Sequence, residues 1–322
     1  MSTLVFLEHH ENELLKGSLG VLSTAATLGD ADLAGVVVGS GVSELASAAG
    51  KFGASKVYVF DDERFAVPLP QPRVDALAKL VLERGIENVL FAASVLAADV
   101  AAGLAARLDA GLNWDLVEIV RNDGELVGKR PALGDSVFVD VGWTGPPRLA
   151  LFRPGSFDAA ATGGQAEIEL VAAEFEDHSF RARMVEQAHE ERSGPSIEDA
   201  DVVVAGGRGL GGPENFRLAE ELAQALGGAV GATRAVVDAG WYPYSSQVGQ
   251  TGRTVSPKLY VACGISGAIQ HKVGMQSSNV IVAINKDPNA PIFEYSDLGV
   301  VGDVHTILPR LTEIVRQRKG GS

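Results

Sequence analysis

Along the first third of the chain, short apolar runs alternate with stretches of helical periodicity. Thr3, Leu4, Val5, Phe6 and Leu7 form one such run, and its continuity predicts a strand buried on both faces. Further strands are predicted over 34–39, 56–60 and 88–92. Helices are predicted over 17–28, 42–51, 73–84 and 97–108, with Gly85 closing the third. Strand and helix in rotation predict βαβ units and a parallel sheet. Over 115–174 the rhythm changes and strands predominate. Asn122-Asp123-Gly124 separates two apolar runs and predicts a hairpin, so an antiparallel extension is expected to finish the first domain.

A highly charged stretch over 181–192 leads into Ser193-Gly194-Pro195-Ser196. This Gly-Pro segment predicts a domain boundary, with 1–190 as the first domain and 191–322 as the second. Beyond it the βα rhythm resumes. Strands are predicted over 201–205, 259–263 and 280–284, helices over 213–226 and 306–318, and a short apolar segment at Ala235-Val236-Val237. The expected fold is α/β, with two domains that each hold a mainly parallel sheet flanked by helices. The second domain is expected to be Rossmann-like.

Composition narrows the function classes. A net charge of −14 argues against nucleic-acid binding, which needs a basic surface to displace counterions from phosphates. The single cysteine, Cys263, excludes an intrachain disulfide framework and fits a reducing compartment. It lies within the run Leu259-Tyr260-Val261-Ala262, which predicts a buried, inert thiol. The first residues lack a basic segment and run quickly into Glu8 and Glu11, unlike a signal peptide. No apolar stretch reaches the roughly 18–20 residues of a membrane span, so a soluble, cytoplasmic protein is expected.

The chemistry concentrates after Asp201. Gly207, Gly209 and Gly212 match G-x-G-x-x-G between a predicted strand and a predicted helix, with Pro213 at the first helical position. Glycines there can take positive φ and bring backbone N–H groups close to a pyrophosphate; a tightly packed turn without a ligand is the other reading. An acidic residue for a ribose is expected about 20 residues on. Gly231-Ala232-Thr233-Arg234 offers a hydroxyl and a guanidinium instead, which disfavours ordinary NAD binding and an NAD(P)-dependent dehydrogenase. Three more polar segments follow apolar runs: Ser246 to Gly252, Gly264 to His271, and Asn285-Lys286-Asp287. All three are expected at the carboxyl ends of strands, where open α/β sheets bind ligands. Gly264-Ile265-Ser266-Gly267 lacks the G-x-S-x-G spacing of a hydrolase elbow, so Ser266 reads as a phosphate donor.

Together these segments resemble the alpha subunit of the electron-transfer flavoproteins. The resemblance rests on Val204-Ala-Gly-Gly-Arg-Gly-Leu210, Val230-Gly-Ala-Thr-Arg234, Gln247-Val-Gly-Gln-Thr-Gly252, Gly264-Ile-Ser-Gly-Ala-Ile-Gln-His271, and Ala283-Ile-Asn-Lys-Asp-Pro288 with Ala290-Pro-Ile-Phe293. It implies one noncovalent FAD in the C-terminal domain and a heterodimer with a beta subunit that carries AMP. It further implies electron transfer from flavoprotein dehydrogenases, such as those of fatty acid oxidation, to a membrane quinone oxidoreductase. The chain itself would be a carrier, not an enzyme, and not membrane-inserted. A subunit of an electron-bifurcating flavoprotein and a nucleotide-binding module without a redox role remain alternatives.

Matched residue by residue, the resemblance places Arg234 against the flavin ring, Gln250 and Thr251 at its N5 and O4 edge, and His271 at its C2 carbonyl. Thr233 and Ser266 would meet the pyrophosphate, and Gln247 the ribityl chain. Arg208, Asn285 and Asp303 would flank the adenosine half. Val248, Gly249 and Val304 belong to the implied binding set, as do Gly267, Ala268, Ile269 and Gln270. Thr233 stands where the family more often has serine, which keeps the hydroxyl and adds a methyl group. A cation at the flavin edge, from Arg234 or a protonated His271, would favour the negative charge added on reduction. The first domain offers only His9-His10 with Glu8 and Glu11 as a metal candidate. Adjacent histidines at a strand end point to opposite faces, so a solvated or structural role is expected, with the domain packing against the partner subunit. Residues 241–245 follow no pattern.

Overall fold

A computed structural model describes residues 2–319 except 11, 31, 134, 187–195 and 199. These residues form two compact units on either side of the 187–195 stretch. The boundary expected at Ser193, Gly194 and Pro195 lies outside the described residues, as does Glu11.

The first unit runs β1 (Ser2–Phe6), β2 (His9–His10), β3 (Glu13–Leu14), α1 (Lys16–Thr27), β4 (Asp32–Gly39), α2 (Ala46–Ala49), β5 (Lys56–Asp61), α3 (Pro70–Arg84), β6 (Asn88–Ala92) and α4 (Val95–Leu108). It continues with β7 (Gly111–Leu116), β8 (Glu118–Asn122), β9 (Glu125–Ala132), β10 (Val137–Val141), β11 (Arg148–Phe152) and β12 (Glu167–Leu170). Seven strands form a parallel sheet in the order β12-β5-β4-β1-β6-β11-β7. Alternation along β1 explains the two cores. Leu4 and Phe6 face the core built with α3 and α4, and Val5 and Leu7 face the one built with α1. The predicted hairpin is present as β8–β9, with Asp123 and Gly124 both at positive φ as a tight two-residue turn requires.

Two expectations for this unit need correction. Within the expected antiparallel extension, the described strands that pair antiparallel are β8, β9 and β10; β7, β11 and β12 belong to the parallel sheet. The continuous burial of Arg148–Phe152 is the signature of an interior parallel strand, which the turn-rich surroundings obscured. The helix expected over 42–51 is broken into two 3₁₀ turns around the single turn of α2. Gly50 there approaches the backbone of Ala166 so closely that a Cβ would lie 2.4 Å from its nitrogen. His9 and His10 pair with Leu14 and Glu13 in a short antiparallel ladder, and among the described residues no three side chains form a metal-ligating group.

The second unit runs β13 (Val202–Gly206), α5 (Phe216–Leu226), β14 (Ala229–Thr233), α6 (Arg234–Val237), β15 (Gln247–Val248), β16 (Leu259–Cys263), α7 (Ile269–Lys272), β17 (Val280–Asn285), β18 (Leu298–Val301) and α8 (Val304–Lys319). All six strands are parallel, in the order β15-β14-β13-β16-β17-β18. In chain order this is 3-2-1-4-5-6, the doubly wound arrangement with its switch point between β13 and β16. On one face Val204, Val261, Cys263 and Ile284 pack with residues of α5 and α8. On the other, Val203, Ala205, Tyr260 and Ala262 lie under irregular chain that includes Val255, Met275 and Ile292. Cys263 is fully buried, and burial pushes its thiol up to about 12, so it is inert as expected.

Candidate functional site

Because the six strands are parallel, their carboxyl ends share one edge, and the register fixes which residues gather there. Gln247, Ala232, Gly206, Cys263, Ile284 and Val300 stand in one row across the sheet. The sequence-predicted residues lie in or just past that row. Arg208 follows β13, Thr233 ends β14, and Arg234 opens α6. Gln247 and Val248 form β15, and Gly249, Gln250 and Thr251 leave it. Ser266, Gly267, Ala268, Ile269, Gln270 and His271 follow β16, and Asn285 ends β17. Asp303 and Val304 follow β18.

The glycine-rich turn behaves differently from a pyrophosphate loop. Gly207 N–H donates to Cys263 O at 2.9 Å, and Gly209 N–H donates to Gly264 O at 2.9 Å, so both amides are already satisfied. Gly207 has φ −112 and Gly212 φ 178, which any residue adopts; positive φ falls on Gly211. What requires glycine is proximity, since a Cβ on Gly209 would lie 2.6 Å from Gly264 Cα. Glu214 stands in the first turn after Gly212, where it opposes an anion. The turn therefore locks two edge loops together at the switch point.

The amides suited to an anion lie in the next loop. Ser266, Ala268, Ile269 and Gln270 are exposed, and their N–H groups have no acceptor among the described residues. The loop is shaped by Gly267 at φ 89, whose Cβ would strike Ile292 N, and by the 3.0 Å bond from Ile292 N–H to Ser266 O. Successive outward amides of this kind form an anion-binding concavity.

The segment after β15 is held just as tightly. Gly249 has φ 137, and the amide of Gln250 donates to Gln270 O at 2.7 Å, tying the two loops together. Buried Gln247 donates from Nε2 to Thr251 Oγ1 at 3.1 Å. A hydroxyl that accepts this bond keeps its own hydrogen for an outside acceptor. The exposed side chains of Gln250 and Thr251 thus present donors from a fixed backbone.

His271 turns inward. Its Nδ1 lies 3.0 Å from Val248 O, which can only accept, so Nδ1 carries the proton. Nε2 then accepts from the hydroxyl of Tyr260 at 3.0 Å. Tyr260 is fully buried and His271 is 6% exposed. Burial drives the imidazole down to about 4, although the bond to Val248 opposes this, so the ring is neutral near pH 7. The expectation of a protonated His271 is corrected on this ground, leaving Arg234 as the fixed charge beside the loop. Arg234 is exposed and donates from Nε to Asp238 at 3.2 Å, an exposed ion pair that competes weakly. Asn285 shapes its own turn, with Nδ2 donating to Ile265 O at 2.8 Å and Oδ1 accepting from Asp287 N–H at 3.0 Å. Asp303 caps α8 by accepting from His305 N–H at 2.9 Å.

Sequence reasoning missed Tyr260 as the partner of His271, although its place in an apolar strand two residues before Ala262 pointed it inward. It also missed Tyr242 and Tyr244, which no spacing rule singles out. The donor set at this edge combines two guanidinium groups, three hydroxyls, side-chain amides and unpaired backbone amides. Such a set fits a dinucleotide bearing a diphosphate and a ring with several acceptors.

Residues 3–176 match the family profile described as "Electron transfer flavoprotein domain", and residues 196–276 match "Electron transfer flavoprotein FAD-binding domain". Asn285, Asp303 and Val304 lie beyond the second match. The chain is 43% identical to the electron transfer flavoprotein subunit alpha of Mycobacterium tuberculosis, over 98% of this chain and 99% of that one. It is 37% identical to the protein of the same name from Thermoanaerobacterium thermosaccharolyticum, over 98% of each. It is 38% identical to Protein FixB of Clostridium saccharobutylicum, over 95% of this chain and 94% of the relative.

Proposed function

The chain belongs to the electron transfer flavoprotein alpha-subunit family, and from that premise we propose that it holds one noncovalent FAD at the carboxyl edge of its second sheet. The observation that carries this reading is the gathering, just past one register row at the carboxyl edge of the sheet, of unpaired amides at 266–270 with the guanidinium of Arg234 and the donors Gln250 and Thr251. The amides and hydroxyl of the Ser266 loop, with Thr233, would hold the diphosphate. Arg234, Gln250 and Thr251 would hold the flavin ring, and Gln247 the ribityl chain. Arg208, Asn285 and Asp303 would border the adenosine half. His271 holds Val248 and Tyr260 together beneath the loop. Bound flavin supplies the redox chemistry, and the protein supplies position and charge.

Membership of the family supports the remaining parts of this proposal. Residues 1–190 pack against a beta subunit carrying AMP, and 191–322 carry the FAD. Flavoprotein dehydrogenases such as acyl-CoA dehydrogenases donate electrons, and a quinone oxidoreductase accepts them, in the cytoplasmic compartment. Among the described residues no helix is long and apolar enough to cross a membrane. The chain co-expressed with its partner is expected to purify yellow, with absorbance maxima at about 375 and 450 nm. A colourless protein, or one holding only ADP, would leave the non-redox nucleotide-binding reading in its place.

A further inference from the structure

The segment Trp241-Tyr242-Pro243-Tyr244 joins α6, which begins with Arg234, to β15 and the Gly249–Gly252 turn. Its path is fixed at both ends. The amide of Trp241 donates to Val236 O at 3.1 Å, which ties the segment to α6. The Tyr242 ring stacks on Phe216 of α5, with centroids 4.6 Å apart and planes inclined by 21°, and its hydroxyl donates to Glu220 at 3.2 Å. At the far end, Tyr244 is 61% exposed, yet its hydroxyl donates to Thr251 O at 2.9 Å.

We propose that Tyr244 is a positioning residue for the redox site: its hydroxyl fixes the Gly249–Gly252 turn, and with it the donor direction of Thr251 and Gln250, relative to Arg234. This rests on the FAD reading of the same site. The other bonds in the turn do not supply this link. Gly252 N–H bonds to Gly249 O within the turn, Gly249 N–H bonds to O of Arg253, the residue that follows it, and Gln247 reaches the Thr251 side chain, not its backbone. Apart from the adjoining Arg253, the hydrogen bonds that join the turn's backbone to residues outside it among the described residues are the Gln250 amide to Gln270 O and the Tyr244 hydroxyl to Thr251 O. The Gln270 bond ties the turn to the β16 side of the sheet, whereas Tyr244 ties it to the segment anchored on α5 and α6. An exposed aromatic ring that spends its hydroxyl on a loop carbonyl gives up hydration, and the compensating gain is a turn that cannot swing away from Arg234.

The test uses the full-length chain and Tyr244→Phe, which keeps the ring and deletes the hydroxyl. Each is examined without flavin and loaded with FAD in complex with the beta subunit. Without flavin, amide exchange across 249–252 is expected to quicken about fivefold in Tyr244→Phe, the loss of one hydrogen bond, while exchange in β16 stays unchanged. In the loaded complex, the flavin midpoint potential and the 450 nm band shape are expected to shift, with overall stability preserved. Unchanged exchange across 249–252, or unchanged potential and spectrum in the loaded variant, overturns the proposal. If wild type and variant differ in exchange but neither takes up FAD, the hydroxyl anchor stands and the cofactor reading fails.

Discussion

Acidification tests the floor of the site through His271. In the folded chain its pKa is about 4, against an ordinary 6.5, because the ring is buried between Tyr260 and Val248. The unfolded chain therefore binds a proton that the folded chain refuses between those values. By linkage, stability from this group is fully present above about pH 6.5 and is lost as pH falls towards about 4. Going from neutral to about pH 5 should remove roughly 2 kcal/mol, and the full loss should approach roughly 3 kcal/mol. Carboxylates titrate over the same range, so the comparison is between wild type and His271→Gln, whose amide can still donate to Val248 and accept from Tyr260. Urea titrations at each pH, read by pulse-labelled exchange of β16 amides, report unfolding of the second unit alone. Wild type is expected to lose roughly 2 kcal/mol more than His271→Gln on going to about pH 5. Parallel losses in the two proteins would refute a buried, neutral imidazole.

Three further outcomes follow from the same edge. Tyr260→Phe leaves Nε2 of His271 buried without its donor and should cost about 1–3 kcal/mol in urea unfolding, with no such cost in the double variant Tyr260→Phe, His271→Leu relative to His271→Leu alone, where the hydroxyl has no acceptor at position 271 to lose. Gly209→Ala places a Cβ 2.6 Å from Gly264 Cα and breaks the amide bond to Gly264 O; a destabilisation of about 2–4 kcal/mol is expected, while Gly142→Ala, which points into open space, should be near neutral. Arg234→Ala removes a charge-assisted donor worth about 1.5–3 kcal/mol, so the first one-electron potential of bound flavin should fall by roughly 60–130 mV in a spectroelectrochemical titration, and an unchanged potential in the fully loaded variant would remove Arg234 from the ring's surroundings.

Most of this architecture was legible in the sequence because the two large sheets are parallel. Buried parallel strands are continuous apolar runs, and 3–7, 56–60, 88–92 and 259–263 stand out as such. What escaped was structure that depends on partners distant in sequence. β14 carries Gly231 in its middle, and β15 has only two residues, so neither shows strand character without its neighbour. The polar segments at the edge were readable because their chemistry is local: hydroxyls, amides and glycines at the ends of apolar runs. Their orientation was not. Whether the amides of Gly207 and Gly209 face a ligand or Cys263 and Gly264 depends on how close two loops approach, and a G-x-G-x-x-G pattern is compatible with both. The inward turn of His271 likewise depends on Tyr260, eleven residues away and on another element.

The central claim is that FAD lies along the carboxyl edge of the second sheet, on the loops after β15 and β16. Its most direct test is amide hydrogen exchange of the full-length chain with and without FAD. Protection concentrated at 249–252 and 266–271, with 207–209 already slow in both states, is the predicted result. Protection that appears instead across 207–212, or only within residues 2–186, would contradict the account.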